Sequence, residues 1–98
     1  TGNILAQHEM DIVSDETAGQ LHDRMMVAGA DVVLKTLDEV RLGTSVETPQ
    51  NHSIEHNPAP KIYKSTCEID WNRSGIEIYN LIRGLSPYPA ARTLFEGK

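Results

Sequence analysis

The stretch from Ile69 to Ala91 constrains this chain more than any other part of it. It opens on the only tryptophan, Trp71, carries an amphipathic segment from Gly75 to Leu85, and closes on Pro87-Tyr88-Pro89. Ile78, Ile82 and Leu85 recur at spacings of four and three, the pattern of one apolar stripe on a helix. Pro87 ends that helix, because the residue before a proline is pushed out of the α region. Prolines at 87 and 89 set φ on both sides of Tyr88. The expectation is a rigid helix-to-strand junction with the tyrosine ring pinned beneath it, a packing corner in preference to a binding site.

The rest of the chain is read relative to that junction. Asn3 to Val13 contains Ile4, Leu5, Ile12 and Val13 with no proline, and predicts a strand of about eight residues. Ser14-Asp15-Glu16 then opens a helix, with Ser14 or Asp15 as cap and the acids at the positive end of its dipole. Its apolar positions run Leu21, Met25, Ala28, Val32 and then shift to Ala30, Val33, Leu37, Val40. That slip near Gly29 predicts a bent helix or an abutting pair, and Gly43 is a natural C-terminal stop. Thr44 to Pro60 holds Pro49, Pro58 and Pro60 with few apolar residues and reads as a linker. Lys61 to Ile69 holds a short extended piece. Arg92 to Phe95 reads as a strand running into the turn signal Glu96-Gly97-Lys98, with the partner strand expected beyond Lys98. The fold class is α+β but mainly helical, with one strand, a bent helix or helix pair, a proline-containing linker, a further helix and a terminal strand.

A chain of 98 residues makes at most one small domain. No apolar run is long enough to cross a membrane, and no secretory signal opens the sequence. The first residue is not Met, and Thr1-Gly2-Asn3 reads as mid-protein sequence. One cysteine, Cys67, excludes an internal disulfide and fits a reducing compartment, where it packs as a half-buried thiol. The net charge of −5 is uneven: residues 61–98 set six cations against four acids and carry +2. A basic C-terminal part is a weak pointer to a polyanionic partner.

Catalytic and metal motifs are absent. There is no glycine-rich phosphate loop and no nucleophile-base-acid order. His52 and His56 stand four apart, but prolines and asparagines around them disfavour a helix and no third ligand completes a metal site. On its own residues the chain is not an enzyme. Metal: none; cofactor-binding residues: none.

The pattern I-D-W-x-R-x-x-x-E-I-x-N-x-I-R-G-L-x-P-x-P-x-A, as it stands from Ile69 to Ala91, resembles the interdomain segment of the methionyl-tRNA formyltransferases. Thr1-Gly2-Asn3-Ile4-Leu5, the run from Asp15 to Arg24, and Ala59-Pro60-Lys61-Ile62 agree in the same order. Asn3 departs from a common Asp, Tyr88 from a usual Trp, and Ala90 from a frequent Gly. The resemblance implies that residues 1–43 end a catalytic formyltransferase domain, 44–64 link two domains, and 65–98 begin a C-terminal domain similar to an oligonucleotide-binding barrel. It places the catalytic Asn, His and Asp upstream of Thr1, and it implies formyl-tetrahydrofolate as co-substrate. Initiator methionyl-tRNA is the implied partner, and Lys61, Lys64, Arg73, Arg83 and Arg92 are the candidate phosphate contacts. The implied compartment is the cytoplasm, or an organellar matrix in a eukaryote, and an isolated piece is expected to self-associate. Alternatives are a fragment of an amino-sugar formyltransferase and a non-catalytic interaction module.

Overall fold

The structure is a computed structural model that describes residues 2–98. Thr1, which opens the second quoted motif and the 1–43 segment, lies outside the described residues. The elements in chain order are helix α1, Ala18–Leu42, a 3₁₀ turn at Lys64–Cys67, and helix α2, Gly75–Gly84. Strand pairing among the described residues is confined to two isolated bridges, Ile4 with Thr48 antiparallel and Glu68 with Arg92 parallel. The chain is mainly helical. It divides into two compact units, one of residues up to Asp11 with Asp23–Pro58, the other of Ile12–His22 with Ala59–Lys98.

In the first unit Ile4 exchanges both backbone bonds with Thr48 at 2.8 Å. The Asn3 amide reaches the Glu47 carboxylate and the Gln50 amide reaches the Gly2 carbonyl. The strand expected over Asn3–Val13 is reduced to this one bridge. A strand extends only as far as a neighbouring strand pairs with its N–H and C=O groups, and among the described residues none continues the pairing beyond Ile4.

Helix α1 is one continuous element of 25 residues that passes Gly29 without a break, so the alternative of an abutting helix pair falls away. The two registers of its sequence are two faces of a single helix. Leu21, Ala28 and Val32 are half-buried, whereas Val33, Leu37 and Val40 remain at least half exposed. The helix ends at Gly43 as expected: φ is +71°, its N–H bonds the Val40 carbonyl, and the Thr44 N–H bonds the Glu39 carbonyl. That bond pair is the Schellman closure, and φ > 0 is the reason glycine stands there.

The N-terminus of α1 departs from expectation. The cap is Thr17, whose hydroxyl accepts from the Gln20 N–H while the Gln20 side chain accepts from the Thr17 N–H. This is a capping box three residues beyond Ser14 and two beyond Asp15. Those residues form a turn instead, closed by the Glu16 N–H on the Val13 carbonyl, with Asp15 at φ +62°. The acids are engaged before the helix begins. Glu16 is buried and accepts from the Val13 N–H, and Asp15 accepts from the Tyr79 hydroxyl.

In the second unit α2 is capped by Ser74 and Glu77, another reciprocal box. Its inward stripe is Ile78, Leu81 and Leu85, with Leu85 buried and Ile82 45% exposed. The expected stripe named Ile82; Ile82 and Leu81 flank the same axis, and the contact falls on the Leu81 side. After α2 the Ala90 N–H returns to the Leu85 carbonyl, and the Ser86–Pro87 and Tyr88–Pro89 bonds are both cis. The Tyr88 ring is not pinned beneath the corner but 87% exposed. The prolines fix the backbone, and no described segment covers the ring. Cys67 is buried, its Sγ on the Tyr63 carbonyl. At the end of the chain Phe95 and Lys98 exchange both backbone bonds around Glu96 and Gly97, at φ +48° and +75°. Positive φ at both central residues is the two-residue hairpin turn that the Glu-Gly-Lys signal predicts. Cys67 and Leu85 are the only buried apolar residues among those described.

Candidate nucleic-acid interface

All five cations singled out from the sequence, Lys61, Lys64, Arg73, Arg83 and Arg92, lie in the second unit. That unit also contains Asp15 and Glu16, which offset the surplus carried by residues 61–98. The candidates therefore have to be separated by what each one touches.

Arg73 stands between two carboxylates, 3.8 Å from Asp70 and 3.2 Å from Glu77. Asp70 accepts from the backbone and side-chain N–H groups of Asn72, and these bonds, with the Arg73 charge, hold its pKa below the usual carboxylate value. Glu77 is likewise lowered, first by the Ser74 hydroxyl and N–H and then by Arg73. The groove beside them is lined by Thr66, Glu68, Asp70, Arg73, Glu77 and Leu81. Three carboxyl groups beside one guanidinium make this a poor place for a phosphate.

Arg83 is used inside the unit. Its Nη1 donates to the Glu16 carbonyl at 3.1 Å, its Nε donates to Asn80 Oδ1 at 2.8 Å, and the guanidinium lies 5.9 Å from the Tyr79 ring centre. The nearby carboxylates of Asp70 and Glu77 go to Arg73 instead. Arg92 is committed too, with Nη2 2.9 Å from Glu68 Oε1 across the parallel bridge.

Lys61 and Lys64 differ from the three arginines. Both are exposed, and among the described residues neither makes an ion pair. The Lys61 ammonium lies 5.4 Å from the centre of the Tyr63 ring. Lys64 begins the 3₁₀ turn. The structure thus leaves two exposed lysines, on either side of Tyr63 in sequence, without a carboxylate partner.

Two contacts in this unit were not read from the sequence. The Tyr79 hydroxyl donates to Asp15, a bond that raises the tyrosine pKa above its usual value. The Gly19 N–H donates to the Ser86 carbonyl at 3.0 Å. Neither carries a local signal, since each joins residues more than sixty positions apart. The Thr17–Gln20 and Ser74–Glu77 boxes did carry one, the spacing of a small hydroxyl and a Gln or Glu three residues on. Among the described residues no three His, Cys, Asp or Glu side chains are grouped to hold a metal, and no helix is long and apolar enough to cross a membrane.

Comparison with known proteins gives this surface its context. Residues 61–98 match the profile described as "Formyl transferase, C-terminal domain". The match covers Lys61, Lys64, α2 and the proline corner together. Over nearly its whole length the chain is similar to methionyl-tRNA formyltransferases. It is 45% identical over 97 residues to the one from Phocaeicola vulgatus, covering 95% of this chain and 30% of that protein. It is also 45% identical over 98 residues to the one from Flavobacterium johnsoniae, covering 100% of this chain and 31% of that protein. The protein of the same name from Alkaliphilus oremlandii is 45% identical over 97 residues, covering 99% and 31% respectively. The chain thus spans under a third of the length of these curated relatives.

Proposed function

We propose that the chain is a segment of a methionyl-tRNA formyltransferase. Such an enzyme transfers a formyl group from formyl-tetrahydrofolate to the α-amino group of methionyl initiator tRNA in translation initiation. The observation that carries the reading is the similarity at 45% identity across 95% or more of the chain. In this reading residues 1–43 close a catalytic domain, 44–64 connect it to a second domain, and 65–98 open that domain, with Arg92–Phe95 and the Glu96-Gly97 turn starting its barrel. No residue of this chain is assigned to folate or to the reacting carbonyl. Formyl transfer forms a C–N bond to the aminoacyl nitrogen, breaks the one to folate, and moves the amine's proton to the folate nitrogen. Those steps belong to the other two-thirds of such an enzyme. The compartment is the one in which initiation occurs, the cytoplasm or an organellar matrix.

The contribution of this segment is then to hold tRNA, and Lys61 and Lys64 are the best placed of the five candidates. Arg73, Arg83 and Arg92 already satisfy Asp70, Glu77, the Glu16 carbonyl and Glu68, so recruiting any of them to a phosphate breaks an existing contact. Replacing Lys61 and Lys64 together with Ala in the full-length enzyme is expected to raise KM for tRNA while leaving kcat little changed. The slope of log affinity against log salt should fall by about 1.5 to 2, the effect of losing two phosphate contacts. An unchanged KM and slope sink the assignment. Arg73→Ala, by contrast, is expected to leave the salt slope alone.

A further inference from the structure

Tyr63 is anchored by its backbone and displayed by its side chain. Its N–H donates to Thr66 Oγ1 at 3.1 Å, and its carbonyl accepts from the Thr66 N–H at 3.0 Å and from Cys67 Sγ at 3.5 Å. Cys67 is one of the two buried apolar residues, so the turn is fixed to what little core this unit has. The ring nevertheless remains 60% exposed, with the Lys61 ammonium 5.4 Å from its centre and Lys64 next in sequence. The other aromatics lack this combination. Trp71 Nε1 is bonded to Thr93, and the Tyr79 hydroxyl to Asp15. Tyr88 and Phe95 are exposed, but no cation lies over either ring among the described residues. Arg83, the cation beside Tyr79, is already held by Glu16 and Asn80.

An exposed ring on a fixed backbone, with one ammonium over it and a second exposed lysine next in sequence, neither in an ion pair, matches the chemistry of an unpaired nucleotide. Its base stacks on an aromatic face while its phosphates meet the cations. Along a duplex the base faces are hidden by stacking on one another, and phosphates, 2′-hydroxyls and groove edges are what it offers. We infer that Tyr63 is a stacking platform for one unpaired nucleotide of RNA, whose flanking phosphates are held by Lys61 and Lys64. The inference rests on the tRNA-holding role proposed above and specifies that the strand at this point is single.

The test uses the full-length enzyme with two probes, a short fluorescein-labelled oligoadenylate and a blunt RNA duplex, titrated by anisotropy. Tyr63→Leu is expected to weaken oligoadenylate binding about ten-fold, the usual consequence of removing one base–aromatic stack. Duplex binding and the salt slope should stay unchanged, and Tyr63→Phe, which keeps the ring, should bind like the parent. If Tyr63→Leu binds oligoadenylate as tightly as the parent while the Lys61/Lys64 double variant is weakened, stacking is wrong and the phosphate role survives. If the double variant is also unchanged, both are wrong. Equal loss in Tyr63→Phe and Tyr63→Leu overturns stacking as well, because the ring itself would then contribute nothing.

Discussion

Ala90 occupies a backbone conformation that its side chain resists. Its φ is +69°, and its N–H is tied to the Leu85 carbonyl at 2.8 Å. A Cβ in the left-handed region costs about 1–2 kcal/mol, whereas introducing glycine costs about 0.4–1 kcal/mol through the unfolded chain. Ala90→Gly is therefore expected to stabilise by about 0.5–1 kcal/mol, read as a higher urea midpoint with an unchanged m-value. A lower midpoint sinks the argument. Sequence comparison had already marked Ala90 as a departure from a frequent glycine, but only the backbone angle explains that preference. Tyr79 supplies the second prediction at this scale. The Asp15 carboxylate accepts from its hydroxyl and raises its pKa above 10 in the folded chain. A raised folded-state pKa contributes stability that is complete below the unfolded value and lost as pH climbs through the folded one. Thermal melts from pH 8 to 11 should show an alkaline loss of stability that Tyr79→Phe makes shallower. Identical alkaline limbs in the two proteins would remove Asp15–Tyr79 from the list of stabilising contacts.

At the scale of elements, glycines at two points of α1 predict opposite signs. A Cβ at Gly19 falls 2.5 Å from Pro87 Cδ and 3.5 Å from the Ser86 carbonyl. Pro87 is a closed ring at a fixed corner, so it cannot swing aside. Gly19→Ala is expected to destabilise by about 1–3 kcal/mol, more than the gain of about 1 kcal/mol from helix propensity. At Gly29 a Cβ meets nothing within 4 Å, and Gly29→Ala should stabilise by most of that propensity difference. Denaturant curves for the two variants settle the matter, and shifts of the same sign contradict this account of the corner. The contrast also shows what could be read in advance. The existence and end of α1, the extent of α2 and the terminal turn were legible, because capping spacings, Gly43 and Pro87 act within a few residues. The choice of Leu81 over Ile82 and the exposure of Tyr88 were not, because both depend on which distant segment is present to cover a face. The expected strand at Asn3–Val13 failed for the same reason: its apolar content was visible, but the lack of a pairing neighbour beyond Thr48 was not. Of the candidate interface, charge picked out five cations, and only the positions of Glu16, Glu68, Asp70 and Glu77 separated two lysines from three arginines.

For the molecule as a whole, the apolar surface left open is large against the core. Two apolar residues are buried among those described, while no residue of α1 is. Along α1, Val33, Leu37 and Val40 form one stripe and are 56%, 60% and 50% exposed. Covering such side chains is worth about 1 kcal/mol or more each, so in water the stripe favours any apolar partner. In a full-length enzyme the proposed partner is the remainder of the catalytic domain. In the isolated chain the partner available at high concentration is a second copy, which offers the same stripe. Sedimentation velocity at tens of micromolar is therefore expected to find the 98-residue chain associated. Leu37→Glu, which places a carboxylate in the middle of the stripe, should shift the chain toward monomer by about ten-fold in dissociation constant. Glu9→Gln, a charge change outside that stripe, should not. A compact monomer with a sharp melt for the parent chain would mean that this stripe is tolerated in water, and that α1 needs no cover from the rest of an enzyme.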